Sequence, residues 1–243
     1  MARVRLDQLL LDRKIAPSRE RARALVIAGH VTVDGKLVTK AGTSVDDSAD
    51  LALTTPDHPY VGRGGLKLAH ALDTFQIPVS GREALDIGAS TGGFTDVMLQ
   101  RGATRVVALD VGHGQLDWRL RQDPRVVVIE HVNARTLTLD MLPGKVDLVT
   151  IDVSFISLSR ILPVIPPLLR LGADIVTLVK PQFEAGRDEV RKGIIRDAAV
   201  HTRVIDEVAA AGAEVGLTRV GHTPSPITGQ KGNLEFLVHF RVS

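Results

Sequence analysis

The sequence of 243 residues contains no cysteine, and only 3% of its residues are aromatic. The first absence excludes disulfide bonds, thiolate metal sites and cysteine nucleophiles, and the second means that the core is mainly aliphatic. No uncharged apolar run approaches the roughly 18 residues of a membrane-spanning helix. Charges at Arg3, Arg5 and Asp7 stand where a signal peptide has an apolar core. We therefore expect a cytoplasmic protein that binds neither a membrane nor a metal. Its oligomeric state stays open.

The first 40 residues are strongly basic, with nine Lys or Arg against four acidic residues, although the whole chain has a net charge of only +2. Such a local excess is typical of a surface that binds nucleic acid, although a solvated helix face gives the same pattern. Apolar residues at helical spacing predict two short helices, with Ser18 as the N-cap of the second and Gly29 at its end. A hairpin follows, because Asp34-Gly35 separates two alternating runs.

These residues resemble the S4-type RNA-binding domain, which we place at residues 1–55. The resemblance lies in Arg5-Leu6-Asp7, in Ser18-Arg19-Glu20-Arg21-Ala22 and in Gly29 to Gly35. The resemblance implies an α+β fold that binds RNA. Phosphate contacts are then expected from Arg3, Arg5, Arg19, Arg21 and Arg23. The alternative from the residues alone is a small α+β cap on a larger domain.

Residues 56–64 are rich in turn-forming residues and are predicted to be a linker. In residues 65–243 apolar runs alternate with helical segments, which predicts an α/β fold with a seven-stranded, mainly parallel, doubly wound sheet. The predicted strands are 83–88, 105–110, 126–130, 147–152, 174–180, 214–220 and 234–241. The predicted helices are 94–102, 114–121, 157–170 and 197–212. Seven strands after a leading helix resemble the Rossmann-like architecture of class I methyltransferases.

A glycine-rich loop leaves the first of these strands, with Gly88, Gly92 and Gly93. The spacing is neither the G-x-G-x-x-G of dinucleotide-binding proteins nor a P-loop, which disfavours an NAD-linked oxidoreductase. Asp110, at the end of the next strand, is placed to accept both hydroxyls of a ribose. Together these features resemble the S-adenosyl-L-methionine site of class I methyltransferases. The resemblance implies the cofactor-binding residues Asp86, Gly88, Ser90, Thr91, Gly92, Gly93, Phe94, Asp110, Asn133 and Asp152. For Asn133 the alternative is a side chain that caps its own loop.

Four charged residues stand at predicted strand ends or on the leading helix: Lys67, Asp152, Lys180 and Glu235. Ligands bind at the carboxyl ends of parallel strands, so we expect these side chains to meet at one edge of the sheet. The order Lys-Asp-Lys-Glu resembles the catalytic tetrad of RNA ribose 2′-O-methyltransferases. A lysine takes the proton of a hydroxyl only as the uncharged amine, which burial or a second cation favours. We expect Lys180 to activate the hydroxyl beside Lys67, with Glu235 positioning either lysine. Each residue alone is also explicable as a surface or capping charge.

Longer motifs make the resemblance more specific. They are Tyr60 to Leu68, Leu85 to Asp96, Asp152 to Leu158, Leu178 to Glu184, Lys192 to Asp197 and Gly232 to Phe236. Over nearly its whole length the chain is similar to the TlyA family of ribosomal RNA cytidine-2′-O-methyltransferases, whose larger domain is FtsJ-like and which are sometimes labelled haemolysins. Gly62 departs from the serine expected there, but Lys67 keeps its register. The resemblance implies methylation of a cytidine ribose in ribosomal RNA or ribosomal subunits.

The segment from Pro181 to Arg196 is too long for a bare loop between a strand and a helix. We interpret it as a basic lip that holds the RNA backbone, with Arg63 as a further contact. Its basic residues are Arg187, Arg191, Lys192 and Arg196. Phe183 in the same segment is either a core aromatic or a stacking surface for a displaced base.

Two other functions stay open from the sequence alone. The chain can be a catalytically inactive RNA-binding or ribosome-assembly protein, although the intact set of four charged residues argues against this. A membrane-active haemolysin is disfavoured, because the sequence has no apolar span and no strongly amphipathic cationic helix.

Overall fold

The computed structural model describes residues 3–27, 29–54, 58–186, 188–190 and 193–242. The chain divides into two units that are packed within themselves, Met1–Pro59 and Tyr60–Ser243. The division falls inside the segment that the sequence predicts as a linker.

In the N-terminal unit two helices are flanked by short strands. The elements in chain order are β1 (Arg3–Arg5), α1 (Leu6–Asp12), α2 (Arg19–Ile27), β2 (Val31–Val33), β3 (Lys36–Val38), β4 (Ser44–Asp46) and β5 (Leu51–Leu53). β1 pairs with β4, and β2 lies between β3 and β5, all antiparallel. The β2–β3 hairpin turns at Asp34 and Gly35, whose φ values of 50° and 75° match the turn that the sequence predicts. Aliphatic side chains of both helices, of β2 and of β4 form a core of their own.

The larger unit is built on one sheet. Its strands are β6 (Glu83–Ile87), β7 (Arg105–Leu109), β8 (Val126–Ile129), β9 (Val146–Ile151), β10 (Leu169–Val179), β11 (Leu217–Pro224) and β12 (Phe236–Val242). Within the described part of this unit the seven strands pair in the order β11-β12-β10-β9-β6-β7-β8. β12 is antiparallel to both its neighbours, and β10, β9, β6, β7 and β8 run parallel. The predicted α/β fold with a mainly parallel sheet is confirmed.

Helices cover both faces of this sheet. They are α3 (Gly64–Thr74), α4 (Gly93–Gln100), α5 (Trp118–Arg121), α6 (Pro181–Glu184) and α7 (Ala198–Glu214). Successive strand residues point to opposite faces. Leu148 and Val176 therefore join the cluster of α3 and α4, whereas Val149 and Ile175 join that of α7. Burial on both faces explains why the strands are nearly continuous apolar runs.

Three predicted elements are corrected by the structure. Residues 157–170 form three 3₁₀ turns (Leu158–Arg160, Leu162–Val164 and Pro166–Leu168) and no α-helix. Prolines within this stretch lack an amide hydrogen and clash with the preceding turn, so a continuous helix cannot form. The helix predicted at 114–121 begins only at Trp118, because Gly114 has a φ of 65° and Asp117 caps the helix. The strand predicted at 214–220 lies instead at 217–224, since α7 extends to residue 214.

Candidate active site

The four predicted catalytic residues come from three strands and one helix. Asp152 and Lys180 directly follow β9 and β10, which are parallel neighbours. Glu235 directly precedes β12, and because β12 is antiparallel to β10, its start lies at the same edge of the sheet. Lys67 stands near the start of α3, which packs on this sheet. The topology therefore brings the four side chains to one place.

The four side chains form two ion pairs. Lys67 Nζ donates to Glu235 Oε2 at 2.5 Å. Lys180 Nζ lies 2.5 Å from Asp152 Oδ1, a charge contact outside hydrogen-bond geometry, and donates a hydrogen bond to Ser154 Oγ (3.0 Å). Both lysine side chains are only 11% exposed. Of the two partners that the sequence allows for Glu235, the structure selects Lys67.

These side chains line a cavity of about 500 Å³. The lining residues also include Arg63, Thr91, Gly93, Phe94, Ser154 and Gln182. Gly229 makes room for the carboxylate, because a Cβ at this position would lie 1.9 Å from Glu235 Oε1. Lysines and hydroxyls in one half-enclosed space suit a ligand that carries hydroxyl and phosphate groups.

A second cavity, of about 880 Å³, shares part of its wall with the first. The residues that line both are Gly88, Ser90, Asp152, Ser154, Phe155 and Phe183. Gly88 has a φ of 84°, and a Cβ there would lie 2.2 Å from the carbonyl oxygen of Asp152. Only glycine therefore allows the loop after β6 to pass so close to the end of β9.

Asp110 and Asn133 lie on the wall of the larger cavity. Asp110 accepts backbone hydrogen bonds from Ser90 N (2.8 Å) and Gly112 N (2.7 Å), one on each carboxylate oxygen. Each oxygen keeps a further lone pair that can accept a ligand hydroxyl. Asn133 Oδ1 accepts from Arg135 N (3.1 Å), so Asn133 caps its own loop as well as lining the cavity.

Asp86 and Gly92, both predicted to contact the cofactor, line neither cavity. Asp86 is fully buried, and its carboxylate accepts hydrogen bonds from Thr95 Oγ1 (2.6 Å) and Thr150 Oγ1 (2.9 Å). Burial raises the pKa of Asp86 to about 6, against the effect of the two threonine bonds. Asp86 thus ties α4 to β9 from inside the fold, and a Cβ on Gly92 would meet the side chain of Leu120 at 2.3 Å.

Phe155 is a site residue that the sequence analysis missed. Its side chain is 87% exposed, its backbone φ is 65°, and its ring centroid lies 4.9 Å from that of Phe183. A bulky residue with positive φ is uncommon, and such strain clusters at binding sites. The available signal is an aromatic residue in a short loop, three positions after the acid that follows β9. Phe183 is half-buried and lines both cavities, so it is not a core aromatic.

In the N-terminal unit two of the predicted RNA-binding arginines share one buried carboxylate. Arg5 donates two hydrogen bonds to Asp7 (3.0 and 2.8 Å), and Arg19 Nε lies 3.4 Å from the same group. The hydrogen bonds from Arg5 lower the pKa of Asp7. Both arginine side chains stay about half exposed, at 53% and 51%, and thus accessible to a phosphate.

The three other arginines of this unit that are predicted to bind RNA differ in their surroundings. Arg3 donates to Ser44, Arg21 donates to the carbonyl of His58, and Arg23 is exposed.

The predicted lip is described only in part. Arg187, Arg191 and Lys192 lie outside the described residues. Arg196 is exposed, and Arg63 lines the smaller cavity.

Asn233 forms hydrogen bonds with the C-terminal part of the lip. Its side chain is buried, donates to Gly193 O (2.8 Å) and accepts from Ile195 N (3.2 Å). Because Asn233 stands two residues before Glu235, the lip is anchored beside the Lys67–Glu235 ion pair. Sequence reasoning had not singled out this residue.

In the described ranges of the chain, no helix is long and apolar enough to cross a bilayer, and no group of three or more side chains is arranged to hold a metal ion.

Comparison with known families decides what kind of enzyme this site belongs to. The model of the FtsJ-like methyltransferase family matches residues 60–242. The chain belongs to the FtsJ-like methyltransferase family. In this methyltransferase a second model, that of the S4 domain, matches residues 4–51.

Individual relatives show to which group within the family the methyltransferase belongs. The 16S/23S rRNA (cytidine-2′-O)-methyltransferase TlyA of Mycobacterium tuberculosis is 47% identical over 98% of this chain and 90% of its own length, which places the methyltransferase in the TlyA group. A haemolysin-named protein of Streptococcus thermophilus superimposes with a TM-score of 0.79 at 44% identity, covering 100% of this chain and 90% of that one. An S-adenosylmethionine-dependent methyltransferase from Mesorhizobium loti, with a TM-score of 0.56 and 16% identity over 74% of this chain and 100% of its own, shares the fold.

Proposed function

We propose that this methyltransferase transfers a methyl group from S-adenosyl-L-methionine to the 2′-hydroxyl of a cytidine ribose in ribosomal RNA. The observation that carries the proposal is the pairing of Lys67 with Glu235 and of Lys180 with Asp152 on the wall of the smaller cavity. The same residue types in the same order resemble the tetrad of RNA ribose 2′-O-methyltransferases. The related TlyA enzyme carries this activity in its name, for both 16S and 23S rRNA.

The larger cavity fits the cofactor. At about 880 Å³ it is within the usual range for a site that encloses a ligand of this size. Asp110 would hold the ribose hydroxyls, Gly88 leaves the backbone open to close approach, and Asp152 lies where the two cavities meet. When bound, S-adenosyl-L-methionine supplies an electrophilic methyl group. Ser90 and Asn133 on the wall of the same cavity are further proposed contacts, and Thr91, Gly93 and Phe94, which line the smaller cavity, would contact the cofactor from that side.

The residues of the smaller cavity would align the hydroxyl and remove its proton. A ribose 2′-hydroxyl is a weak nucleophile, so most of the gain comes from its orientation and from one proton transfer. Lys180 in its deprotonated form, which the ion pair with Asp152 opposes, would take the hydroxyl proton on Nζ, while the 2′-oxygen gains the methyl group and the bond from that methyl to the cofactor sulfur breaks. Asp152 and Ser154 hold Lys180 in that position, and Lys67, held by Glu235, would contact the ribose or its phosphate.

The aromatic pair would hold the base of the target nucleotide. A nucleotide within an RNA helix must be extruded before an enzyme can reach its ribose in line, and an extruded base stacks on aromatic rings. The exposed ring of Phe155, beside Phe183 and between the two cavities, offers such a surface.

The N-terminal unit would bind the RNA outside the target nucleotide. It matches the S4 domain model and exposes Arg23, with Arg5 and Arg19 half exposed around Asp7. In the larger unit, Arg63 and Arg196 would contact RNA beside the active site. A substrate of this kind also favours a cytoplasmic location and ribosomal subunits as partners.

Mass-spectrometric mapping of modified nucleotides tests the proposal. Ribosomal subunits and free rRNA without 2′-O-methylation at the target are incubated with the protein and S-adenosyl-L-methionine, then digested. We expect 2′-O-methylcytidine in 16S rRNA, in 23S rRNA or in both, and none in DNA of matching sequence, which lacks the 2′-hydroxyl. Binding of rRNA without any methyl incorporation would instead support an inactive RNA-binding or ribosome-assembly protein.

A further inference from the structure

The loop from Asp152 to Leu158 contributes several residues to the site, but little within the loop itself stabilises its conformation. It supplies Asp152 and Ser154 to Lys180, and it presents Phe155 with a φ of 65° and a side chain that is 87% exposed. A positive φ at a bulky residue costs free energy, so contacts elsewhere must maintain this conformation.

Those contacts come from the segment Lys180 to Glu184, which contacts the loop at its start, its middle and its end. At the start of the loop, Lys180 contacts Asp152 and Ser154. In the middle, the Phe183 ring lies 4.9 Å from that of Phe155.

At the end of the loop both oxygens of Glu184 are engaged. Oε2 accepts from Ser157 Oγ at 2.6 Å, and Oε1 accepts from Leu158 N at 2.9 Å. Burial raises the pKa of the Glu184 carboxyl, and the two hydrogen bonds act against that rise. Ser157 is the N-cap of the 3₁₀ turn Leu158–Arg160, and the carboxylate bonds both this residue and the first amide of the turn, which fixes the far end of the strained loop.

We infer that Glu184 is a positioning residue, whose two hydrogen bonds hold the Phe155 ring where it stacks on the base of the target nucleotide and keep Ser154 within reach of Lys180. Glu184 lines neither cavity, so it acts through the loop and not by touching the substrate or the cofactor. The part of the inference that concerns the base rests on the proposed function. The expected signature is a loss in the use of RNA with little change in cofactor affinity.

Three variants of the full chain separate this role from a general loss of stability. Glu184→Ala removes both hydrogen bonds. Glu184→Gln keeps an oxygen for Leu158 N and gains an amide that can donate to Ser157 Oγ. Asp123→Ala is the matched control, because Asp123 also accepts a backbone hydrogen bond, from Arg125 N (2.9 Å), and lines neither cavity.

Steady-state kinetics on rRNA and calorimetry with S-adenosyl-L-methionine provide the first readout. We expect Glu184→Ala to raise KM for rRNA by about tenfold or more and to lower kcat, since small displacements of a positioned group are costly. The cofactor Kd should stay within about threefold of the wild type in all variants. Glu184→Gln should restore most of the loss, and Asp123→Ala should behave as the wild type.

Fluorine NMR supplies a readout that needs no activity. The chain has six phenylalanines, and in protein labelled with 3-fluorophenylalanine the variant Phe155→Leu identifies the Phe155 resonance. That resonance should shift or broaden in Glu184→Ala and keep its position in Glu184→Gln and Asp123→Ala.

A wild-type KM together with an unchanged Phe155 resonance in Glu184→Ala would overturn the inference, and so would an equal loss in Glu184→Gln. If Glu184→Ala no longer binds the cofactor, Ser157→Ala replaces it with the Phe155 resonance as the only readout, because Ser157 also caps Ser159 N and lines the larger cavity. The resonance should then shift or broaden, and an unchanged resonance would overturn the inference. If the wild type transfers no methyl group, the proposed function fails. The Phe155 resonance then decides by itself whether Glu184 positions that ring.

Discussion

Lys180 and Lys67 each face one carboxylate, but only Lys180 also donates to a hydroxyl, that of Ser154, at the junction of the two cavities. We expect Lys180→Ala to lower the single-turnover methylation rate by about two or more orders of magnitude, because it removes the group that takes the proton. Lys180→Arg should lower this rate nearly as much, since a guanidinium stays protonated. Cofactor affinity should not change in either variant. The control is Lys145→Ala, an exposed lysine just before β9, and a near wild-type rate in Lys180→Ala would show that the ion pairs are structural.

Asp86 should make stability depend on pH. Its folded pKa of about 6 is above the ordinary value of 3.8, so the folded state holds a proton that the unfolded state has lost between about pH 4 and 6. Stability should therefore fall as pH rises through this window, by about 3 kcal/mol for a shift of roughly two pKa units. Asp86→Asn should remove this fall, and urea unfolding at several pH values measures it.

Asp73 provides a control, because its contribution to stability should depend on pH with the opposite sign. The hydrogen bond from Arg101 lowers the pKa of this carboxyl, so its contribution is present above the ordinary pKa and is lost as pH falls. Asp73→Asn should therefore cost stability at neutral pH and none in acid. If Asp86→Asn leaves the slope between pH 4 and 6 unchanged, the buried carboxylate is not the cause of the dependence.

The sequence could predict that acids stand near strand ends, but not where each side chain points. Asp110 and Asp152 follow the last residue of their strands and line a cavity. Asp86 is one residue inside β6, and strand residues alternate between faces, so its carboxylate points into the layer below α4. Phe155 escaped prediction because nothing in the sequence marks a positive φ at a phenylalanine.

At the scale of elements, prediction succeeded where one local signal dominates. Ser18 caps α2 through Arg21 N (3.1 Å) as expected, and the apolar runs became strands with bounds within a few residues. The prediction failed at residues 157–170. There the apolar spacing favoured a helix, but the prolines prevented one.

Gly88 tests the contact between two elements, the loop after β6 and the end of β9. Gly88→Ala adds a Cβ that would lie 2.2 Å from the Asp152 carbonyl, and its φ of 84° strains any other residue. We expect cofactor affinity to fall by about tenfold or more, because the loop must move away from the cavity. Gly81→Ala is the matched control, since Gly81 has a φ of 79° and nothing within 4 Å of the added Cβ. Calorimetry in both variants measures the difference. Equal affinities in the two would mean that the close approach at Gly88 does not shape the site.

At the scale of the molecule, the sequence predicted which residues converge but not how they pair. The convergence follows from topology, because parallel strands end at one edge and β12 begins there. The pairing of Glu235 with Lys67 depends on the position of α3 on the sheet, which only tertiary packing sets.

The two units should divide binding and chemistry, which predicts the effect of removing residues 1–59. The larger unit has its own core on both faces of the sheet, so a chain of residues 60–243 should fold and bind S-adenosyl-L-methionine with unchanged affinity. Methylation of ribosomal subunits should fall strongly if, as we propose, the basic N-terminal unit supplies phosphate contacts. For the same reason, RNA binding by the full chain should weaken steeply with salt, and that of the truncated chain much less. The measurements are methyl incorporation and RNA affinity at several salt concentrations, with cofactor calorimetry as the check on folding. Full activity of the truncated chain on subunits, with the salt dependence retained, would place RNA recognition within the catalytic unit itself.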